Sequence, residues 1–569
     1  MQSAFPIRVK ILSVLVVLIS LLLIAKLFFV QVIHGGDYSE RADRQYSTPS
    51  GNLFERGSIF FSTKNGNEVS AATTELGYKV AINPKQVIDV DATYQALSSI
   101  APLDRALFDA KVQKKNDPYE EVLNRITKES ADAINAQKIP GVSIYKEKWR
   151  FYPGNSLASR ALGFIAYKGD ELLGRYGLER EYNATLSRDG SDLYVNFFAE
   201  LFSDIGKVVF KSNDRPGDII TTLEPTVQDY LERSLAGIMS AWHTDEAGGI
   251  IINPKTGEIY AMATLPDFDL NQSGKVTNPS LYGNPLIENV YELGSVIKTL
   301  TMSAGVDAGV VTPDTMYDDK GCLTFNTHTV CNFDKRARGV VSMQEVLNQS
   351  LNTGATYVMQ KLGKDRFREY MLSFGINEKT DVDMPGEVMS LTNNLNSTRE
   401  IEYATASYGQ GIALAPIAAV RAFSAVANGG TLITPHLVKK IDYTDGGSDT
   451  ISFPEGRRVI KVETSETVTR MLVKVVDTAL FGGTEKLEHY SIAAKTGTAQ
   501  IAKADGTGYY EDQYLHSMYG YFPAYDPEFL VFLYDINPKE VSFAANTLGH
   551  PFINTAKFLL NYYEVAPDR

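Results

Sequence analysis

The sequence predicts a mixed α/β (α+β) protein of at least two domains behind one N-terminal transmembrane helix. Three observations lead to this prediction. The chain has 569 residues, which is more than one ordinary hydrophobic core accommodates. A nearly unbroken apolar run extends from Ile11 to Val30. After it, β-rich segments alternate with helical ones without an internal repeat, in a chain with the 44% hydrophobic content typical of globular proteins.

The apolar run predicts a retained membrane anchor at residues 11–33, after a cytoplasmic tail of residues 1–10. A helix of about 20 residues spans a hydrocarbon core of about 30 Å. Arg8 and Lys10 precede the run, which places the tail in the cytoplasm by the positive-inside rule. A cleaved signal peptide is the alternative, but no small-residue cleavage site follows the run. We therefore expect the bulk of the chain on the outer side of the cytoplasmic membrane.

The composition excludes several classes of function. A net charge of −13 argues against binding to nucleic acid, which requires a basic surface. The seven histidines lie without ligand spacing, so we expect no metal and no cofactor. The two cysteines, Cys322 and Cys331, cannot build a disulfide framework. Outside the membrane they form either one disulfide or two buried thiols, and the sequence leaves both alternatives open.

The extracytoplasmic part divides into two predicted domains. Residues 36–215 read as mixed and elongated, with a strand at 56–61 that enters a glycine-containing turn. A charge-rich helical stretch covers 103–137, with an Asn-Asp-Pro turn inside it. A Pro-Gly-Asp triplet then marks the start of the second domain, residues 216–569, where a β-rich run is followed by a helix that begins at Pro225.

Three motifs in the second domain predict an acyl-transfer site. Ser295 and Lys298 form an S-x-x-K tetrad, which places a hydroxyl and an amine one helical turn apart. Ser350 and Asn352 form an S-x-N motif further along the chain. The third motif, residues 495–498, follows an apolar strand and consists of Lys495, Thr496, Gly497 and Thr498. Each motif alone is unspecific, whereas the three in this order are a strong signal.

A second Lys-Thr-Gly occurs at 255–257, but we interpret it as a turn. It lies before Ser295, between the predicted strands at 249–252 and 258–262. Asn253-Pro254 and Gly257 account for that turn by composition. The chemistry is therefore assigned to Lys495.

With these motifs the chain resembles the penicillin-recognising acyl-serine transferases, and within them the class B penicillin-binding proteins. The resemblance covers most of the chain and extends beyond the three motifs to the segments 253–259, 408–412, 427–430, 522–524, 56–59 and 177–179. It implies a transpeptidase domain with an antiparallel sheet and helices, preceded by an elongated pedestal.

The resemblance also implies a role for each site residue. Ser295 would attack the carbonyl between the last two D-alanines of a peptidoglycan stem peptide, with Lys298 as general base. Ser350 would relay a proton to the leaving amine, and Asn352 would bond the substrate amide. Lys495, Thr496 and Thr498 would hold the terminal carboxylate, and Gly497 belongs to the same strand. Backbone N–H groups of Ser295 and Thr498 would form the oxyanion hole.

The chain departs from the family pattern at three places. Leu293 stands where the family usually has Pro, Ala494 stands where it has Gly, and residues 62–66 replace an Asp-Arg-Asn-Gly-like turn. None of these changes removes a reacting group. They bear on local backbone geometry and on affinity for β-lactams.

The function expected from the resemblance is cross-linking of peptidoglycan, with β-lactams as inhibitors. No glycosyltransferase motif precedes the second domain, so the glycan polymerase would be a partner of the SEDS type, alongside other division proteins. The Asn at 352 favours the septal, cell-division branch. The competing hypotheses are a D,D-carboxypeptidase or β-lactamase, and a non-catalytic β-lactam sensor or division scaffold.

Overall fold

The computed structural model describes residues 26, 55–168, 171–188, 215–503, 506 and 508–569. The predicted tail and, except for Lys26, the predicted anchor lie outside these residues. Within this part of the chain, no helix combines the length and apolar character needed to cross a membrane. The chain divides into two compact units; in the described part these are Thr74–Trp149 with Glu55, and Arg56–Thr73, Arg150–Arg188 and 215–569.

The strands are, in chain order, β1 (Ile59–Ser62), β2 (Glu68–Ile82), β3 (Glu120–Ile126), β4 (Val142–Phe151), β5 (Ile165–Lys168), β6 (Glu171–Gly174), β7 (Gly217–Thr221), β8 (Glu246–Ile252), β9 (Ile259–Leu265), β10 (Met316–Asp319), β11 (Cys322–Phe325), β12 (His328–Cys331), β13 (Gly339–Ser342), β14 (Val438–Tyr443), β15 (Ser448–Thr450), β16 (Ala493–Ala502), β17 (Tyr509–Phe522) and β18 (Phe529–Ile536).

The α-helices are α1 (Val90–Ser98), α2 (Arg105–Val112), α3 (Lys128–Ala136), α4 (Ser159–Leu162), α5 (Gly177–Glu181), α6 (Asn183–Leu186), α7 (Pro225–Trp242), α8 (Pro285–Glu288), α9 (Lys298–Asp307), α10 (Met343–Asn348), α11 (Asn352–Leu362), α12 (Lys364–Ser373), α13 (Glu400–Ala406), α14 (Pro416–Ala427), α15 (Val462–Lys474) and α16 (His550–Tyr562).

The smaller unit packs α1, α2 and α3 with β3, β4 and the second half of β2 around its own apolar core. Each of the three helices begins at a side-chain cap, supplied by Asp89, Asp104 and Thr127. The predicted helical stretch 103–137 is wrong in its middle, because β3 runs there antiparallel to β2. The register between β2 and β3 is irregular, and the buried residues of β3 are Glu120, Leu123 and Ile126. A spacing of three is close to the period of a helix, which is why the sequence pattern was misread.

The larger unit is built on an antiparallel five-stranded sheet in the order β16-β17-β18-β8-β9. Both faces are buried: Ile251 points into the core formed with α7 and α16, while Ile250 belongs to the core that includes α9, α14 and α15. On the second face, Phe423 of α14 stacks on Tyr519 of β17 with ring centroids 3.9 Å apart. The sheet places β16 at its edge, where a substrate can reach the strand.

Several predicted elements of this unit are confirmed. The β-rich run before Pro225 is β7, and α7 begins at Pro225 with the carboxylate of Glu224 accepting from the backbone N–H of Val227 at 2.7 Å. The 255–257 Lys-Thr-Gly lies in the turn between β8 and β9, where Gly257 N donates to Asn253 O. None of these three residues lines the cavity that Ser295, Ser350 and Thr498 share.

A buried ion triad stabilises the segments of this unit that come from the N-terminal third of the chain. Glu179 is fully buried and accepts from Arg56 Nε at 2.6 Å and from Arg150 Nε at 2.5 Å. The two guanidinium groups hold the pKa of Glu179 below its usual range, although burial acts in the opposite direction. The triad joins three segments, because Arg56 lies just before β1, Arg150 lies in β4 and Glu179 lies in α5.

Candidate active site

Ser295 lies in a 3₁₀ turn, Gly294–Ile297, that leads directly into α9. Gly294 has a φ of 63°, and a Cβ on it would lie 2.6 Å from Thr498 O. Only glycine therefore allows this turn to approach β16 so closely. The S-x-x-K tetrad thus lies at a helix start, as the sequence predicts, and its turn packs against the edge strand.

The amine of Lys298 is almost completely buried, with 1% of the residue exposed. Its Nζ donates to Ser350 O at 2.5 Å and to Ser350 Oγ at 3.2 Å. Burial lowers the pKa of Lys298 well below its usual value, and the nearby Lys495 lowers it further. A neutral amine with both N–H groups engaged in this way keeps its lone pair free to accept a proton.

Ser350 connects the two lysines of the site. It lies between α10 and α11 with a φ of 54°, a left-handed conformation that is uncommon for a residue with a side chain. Its Oγ accepts from Lys495 Nζ at 3.0 Å. Burial lowers the pKa of Lys495 to about 7. The hydroxyl therefore links a lysine whose pKa is strongly lowered by burial to one whose pKa is about 7.

Asn352 begins α11 and is held by a hydrogen bond to the β11–β12 hairpin. Its Nδ2 donates to Cys331 O at 2.8 Å. Cys331 is bonded to Cys322 in a disulfide that closes the β11–β12 hairpin, which is one of the two alternatives left open by the sequence. The amide oxygen of Asn352 remains available to a substrate N–H.

Asp319 is buried, with 1% of the residue exposed, and it connects the segments that carry Asn352 and Cys331. Its carboxylate accepts from Thr353 Oγ1 at 2.7 Å, from Asn332 Nδ2 at 3.0 Å, and from the backbone N–H groups of Gly321 and Arg338 at 3.0 and 2.9 Å. Thr353 follows Asn352 and Asn332 follows the cysteine that Asn352 contacts. Asp319 therefore positions both sides of the Asn352 hydrogen bond.

The third motif occupies β16 beside the nucleophile turn. Gly497 is required here, because a Cβ would lie 2.4 Å from Leu293 O. Thr498 Oγ1 accepts from Ala544 N at 3.2 Å, which leaves its own hydrogen to donate to a ligand. Leu293, which replaces the family's proline, is buried, and its carbonyl accepts from Ser517 Oγ at 2.7 Å. The departure at Leu293 therefore leaves the turn anchored.

These residues open onto one cavity of about 800 Å³, the active-site cavity, which includes Ser295, Ser350, Asn352, Thr496 and Thr498 in its lining. Lys298, Lys495 and Gly497 lie immediately behind that lining.

Phe333 and Phe543 both line this cavity, although they come from distant parts of the chain. Their rings meet edge to face with centroids 5.4 Å apart, and the residues are 61% and 49% exposed.

The sequence reasoning missed Asp319, Phe333, Phe543 and Ala544. They belong to no motif and are brought to the site only by the fold.

Comparisons with known proteins agree with the motifs. Residues 247–553 match the penicillin binding protein transpeptidase domain, and residues 54–195 match the penicillin-binding protein dimerisation domain. The chain is 30% identical to stage V sporulation protein D of Bacillus subtilis, over 97% of this chain and 85% of that protein. It is 23% identical to peptidoglycan D,D-transpeptidase FtsI of Buchnera aphidicola subsp. Baizongia pistaciae, over 100% and 97%.

The fold agrees with a solved structure as well. Penicillin binding protein 2X from Streptococcus thermophilus superimposes with a TM-score of 0.72 at 19% identity, over 90% of this chain and 81% of that one. The transpeptidase match alone covers more than half of the chain. This chain therefore belongs to the penicillin-binding protein transpeptidase family, in its class B.

Proposed function

We propose that this chain is a serine-type peptidoglycan D,D-transpeptidase that cross-links stem peptides through an acyl-enzyme on Ser295, in septal wall synthesis. One observation carries the proposal: a buried amine, Lys298, is bonded to Ser350, which bonds in turn to Lys495 across the site. This arrangement supplies a base for the nucleophile and a route for its proton.

Acylation follows from the geometry of the two lysines. Ser295 Oγ attacks the carbonyl between the two D-alanines and transfers its proton to the free lone pair of Lys298. Because burial lowers the pKa of Lys298, it favours the neutral amine, which is the form that can accept this proton. The tetrahedral intermediate then collapses and the peptide C–N bond breaks. Ser350 Oγ delivers a proton to the departing D-alanine amine and receives in its place the proton that Lys298 took from Ser295.

The substrate's terminal carboxylate is assigned to β16. The hydroxyl groups of Thr496 and Thr498 line the active-site cavity, and Lys495 lies directly behind them. An arriving carboxylate favours the charged form of Lys495, whose pKa of about 7 leaves it ready to gain a proton. The oxyanion is assigned to the backbone N–H groups of Ser295 and Thr498, which meet where Gly294 packs on β16; each such donor is typically worth about 3–4 kcal/mol.

The second half-reaction defines the enzyme as a transferase. An amine from a second stem peptide attacks the acyl carbonyl, the Ser295 ester bond breaks, and Ser295 Oγ regains a proton through Lys298. The acceptor strand needs room beside the acylated serine, and a cavity of about 800 Å³ is large enough for several peptide residues.

The assignment extends to the rest of the chain. We assign residues 1–10 to a cytoplasmic tail, 11–33 to a transmembrane anchor, 36–215 to the pedestal and 216–569 to the transpeptidase domain on the outer side of the membrane. The two family matches fall within the last two ranges, which supports them. Because no glycosyltransferase motif precedes the catalytic domain, the partner is a membrane glycan polymerase of the SEDS type, with other division proteins.

The test uses the full-length chain in detergent with a fluorescent penicillin, and then lipid-linked nascent glycan with and without an acceptor amine. A transpeptidase gives covalent labelling and cross-linked product. Release of D-alanine without cross-links would instead identify a carboxypeptidase, rapid turnover of the penicillin a β-lactamase, and absence of labelling a non-catalytic protein.

A further inference from the structure

A row of polar side chains crosses the sheet from Thr498 towards its interior. In the antiparallel pairing, Thr498 of β16 lies opposite His516 of β17, and His516 lies opposite Asp535 of β18. Directly opposed residues carry their side chains on the same face of a sheet. His516 and Asp535 are fully buried, and neither takes part in the reaction steps assigned above. The row ends at β8, where the residue opposite Asp535 is Ala247.

Burial favours the uncharged forms of His516 and Asp535. Asp535 Oδ1 lies 3.5 Å from His516 Nδ1. Burial lowers the pKa of His516 to about 4, although the backbone of Ser542 acts in the opposite direction. Burial also raises the pKa of Asp535 to about 7, although the hydroxyl group of Thr547 acts in the opposite direction. These shifts favour a neutral imidazole, which has a single N–H to donate.

Thr547 connects this pair to the wall of the active-site cavity. It lies in the π-helical turn Ala545–Gly549, and its Oγ1 lies 2.9 Å from His516 Nδ1. With Nδ1 protonated, the ring donates to this oxygen, and the hydroxyl group of Thr547 donates to Ala544 O at 3.4 Å. Residues 542–545, at the start of this turn, line the cavity. The buried pair therefore contacts the same segment that forms part of the cavity wall.

Ala544 completes a closed ring of contacts with the substrate-binding strand. Its carbonyl accepts from Thr547, and its N–H donates to Thr498 Oγ1 at 3.2 Å. The hydrogen bonds thus run from His516 through Thr547 and Ala544 to Thr498, while the pairing of β16 with β17 joins the two ends. Because Thr498 Oγ1 accepts from the backbone, its own hydrogen is directed into the cavity, where the substrate carboxylate is assigned.

We propose that His516 is a positioning residue for the substrate's terminal carboxylate: held against Asp535, it fixes Thr547 and Ala544 and thereby the direction of the Thr498 hydroxyl group. A hydrogen bond to a charged group is stronger than one between neutral groups, so a misdirected hydroxyl is a measurable loss. His516 does not line the cavity, so its effect is confined to donors that carry the carboxylate. The inference rests on the proposed function, because it concerns the carboxylate site assigned to β16.

The experiment compares two D-alanyl thioester donors on the full-length chain in detergent. One has a thioglycolate leaving group, whose carboxylate corresponds to that of the terminal D-alanine, and the other has the same group as its carboxamide. The ratio of their kcat/KM values measures recognition of the carboxylate. In Thr547→Val, which keeps the shape but removes the hydroxyl group, we expect the ratio to fall about three- to tenfold. Thr547→Ser, which keeps the hydroxyl group, should keep the wild-type ratio.

Further variants assign the effect to His516 and to this chain of hydrogen bonds. His516→Leu should lower the ratio as Thr547→Val does, whereas His516→Asn, with an amide N–H near the place of Nδ1, should stay within about twofold of wild type. Thr555→Val is the matched control, because Thr555 is buried on α16 and donates to Pro551 O; the ratio should not change. In a Thr498→Ala background, Thr547→Val should lower the ratio no further, since both act through the same hydroxyl group.

The failures are distinguishable. If fluorescent penicillin does not label the wild type, the proposed function fails, and if the labelled wild type uses both donors equally, the assignment of the carboxylate to β16 fails. If the wild type prefers the carboxylate donor but Thr547→Val and His516→Leu slow both donors alike or not at all, the positioning role is overturned, because that is the behaviour of a merely structural residue. A further fall of the ratio in the Thr498→Ala background would also overturn it.

Discussion

Replacing Lys298 with methionine separates the catalytic role of its amine from its place in the core. Methionine has similar length and volume, so the buried position remains filled. Loss of a general base slows the step that it assists by about 10²- to 10⁴-fold, which corresponds to about 3–5 kcal/mol in the barrier. We therefore expect the second-order rate of penicillin acylation to fall by at least a hundredfold in Lys298→Met.

The same substitution should cost little stability, because a buried lysine is itself unfavourable at neutral pH. The folded-state pKa of Lys298 is lowered far below the unfolded value of about 10.4, so folding favours loss of its proton. At a pH below both pKa values, each unit of lowering costs about 1.4 kcal/mol of stability. Methionine removes this cost, but leaves the carbonyl of Ser350 without this donor, which costs about 1–3 kcal/mol, while Ser350 Oγ keeps its hydrogen bond from Lys495. The two terms oppose each other.

The sign of the pH effect follows from the same linkage. Between the two pKa values the unfolded state binds more protons, so wild-type stability rises with pH up to about 10 and falls as pH decreases. Lys495, with a pKa of about 7, contributes a slope of the same sign. Lys298→Met should therefore flatten the pH dependence without abolishing it.

The assay is stopped-flow labelling with fluorescent penicillin, together with urea denaturation at pH 7 and pH 9. Lys255→Met, in the second Lys-Thr-Gly, is the matched control and should acylate at the wild-type rate. An acylation rate for Lys298→Met within threefold of wild type would refute Lys298 as the base. A pH slope of stability as steep as that of wild type would refute its neutral, buried state.

Three further predictions concern the groups that hold the site and the fold. Glu179→Gln leaves two buried guanidinium groups without their counter-charge and should lower the free energy of unfolding by about 3–5 kcal/mol in urea denaturation; a loss below 1 kcal/mol would contradict the triad's role. Gly497→Ala forces a Cβ to within 2.4 Å of a carbonyl in the nucleophile turn and should reduce penicillin acylation at least tenfold. Gly237→Ala, in open space on α7, is its control and should add about 0.5–1 kcal/mol of stability with no change in labelling. Asp319→Asn replaces a carboxylate that faces only donors, and should cost about 2–4 kcal/mol and slow acylation about tenfold; an unchanged acylation rate would show that Asp319 does not position Asn352.

The sequence predicted the site where chemistry constrains the chain locally. A serine and a lysine three residues apart lie close together on one helical turn, and this spacing, together with the two later motifs in order, pointed to Ser295 and Lys298. The hydrogen bonds of both lysines to Ser350 and its left-handed backbone do not follow from the motif order, since they depend on how the fold brings the motifs together. A residue such as Asp319 was beyond prediction, because its four donors come from segments up to 34 residues away.

The fold was predictable to the same degree. The β8–β9 hairpin and α7 were recognisable because turn residues and a proline mark their ends. The strand β3 was not, because its partner β2 changes register and buries β3 residues at intervals of three. The spacing of apolar residues shows which residues of an element are buried. When strand pairing is irregular, a distant partner decides which residues these are, so the spacing no longer identifies the element as a strand.

The most direct test of the central claim is the intact mass of the full-length chain after incubation with benzylpenicillin, beside the Ser295→Ala variant. The wild type should gain the mass of one penicillin, and peptide mapping should place the adduct on Ser295. Ser295→Ala should gain none while keeping the wild-type melting temperature. An adduct on the variant, or an adduct mapped to another residue of the wild type, would contradict the assignment of Ser295 as the nucleophile.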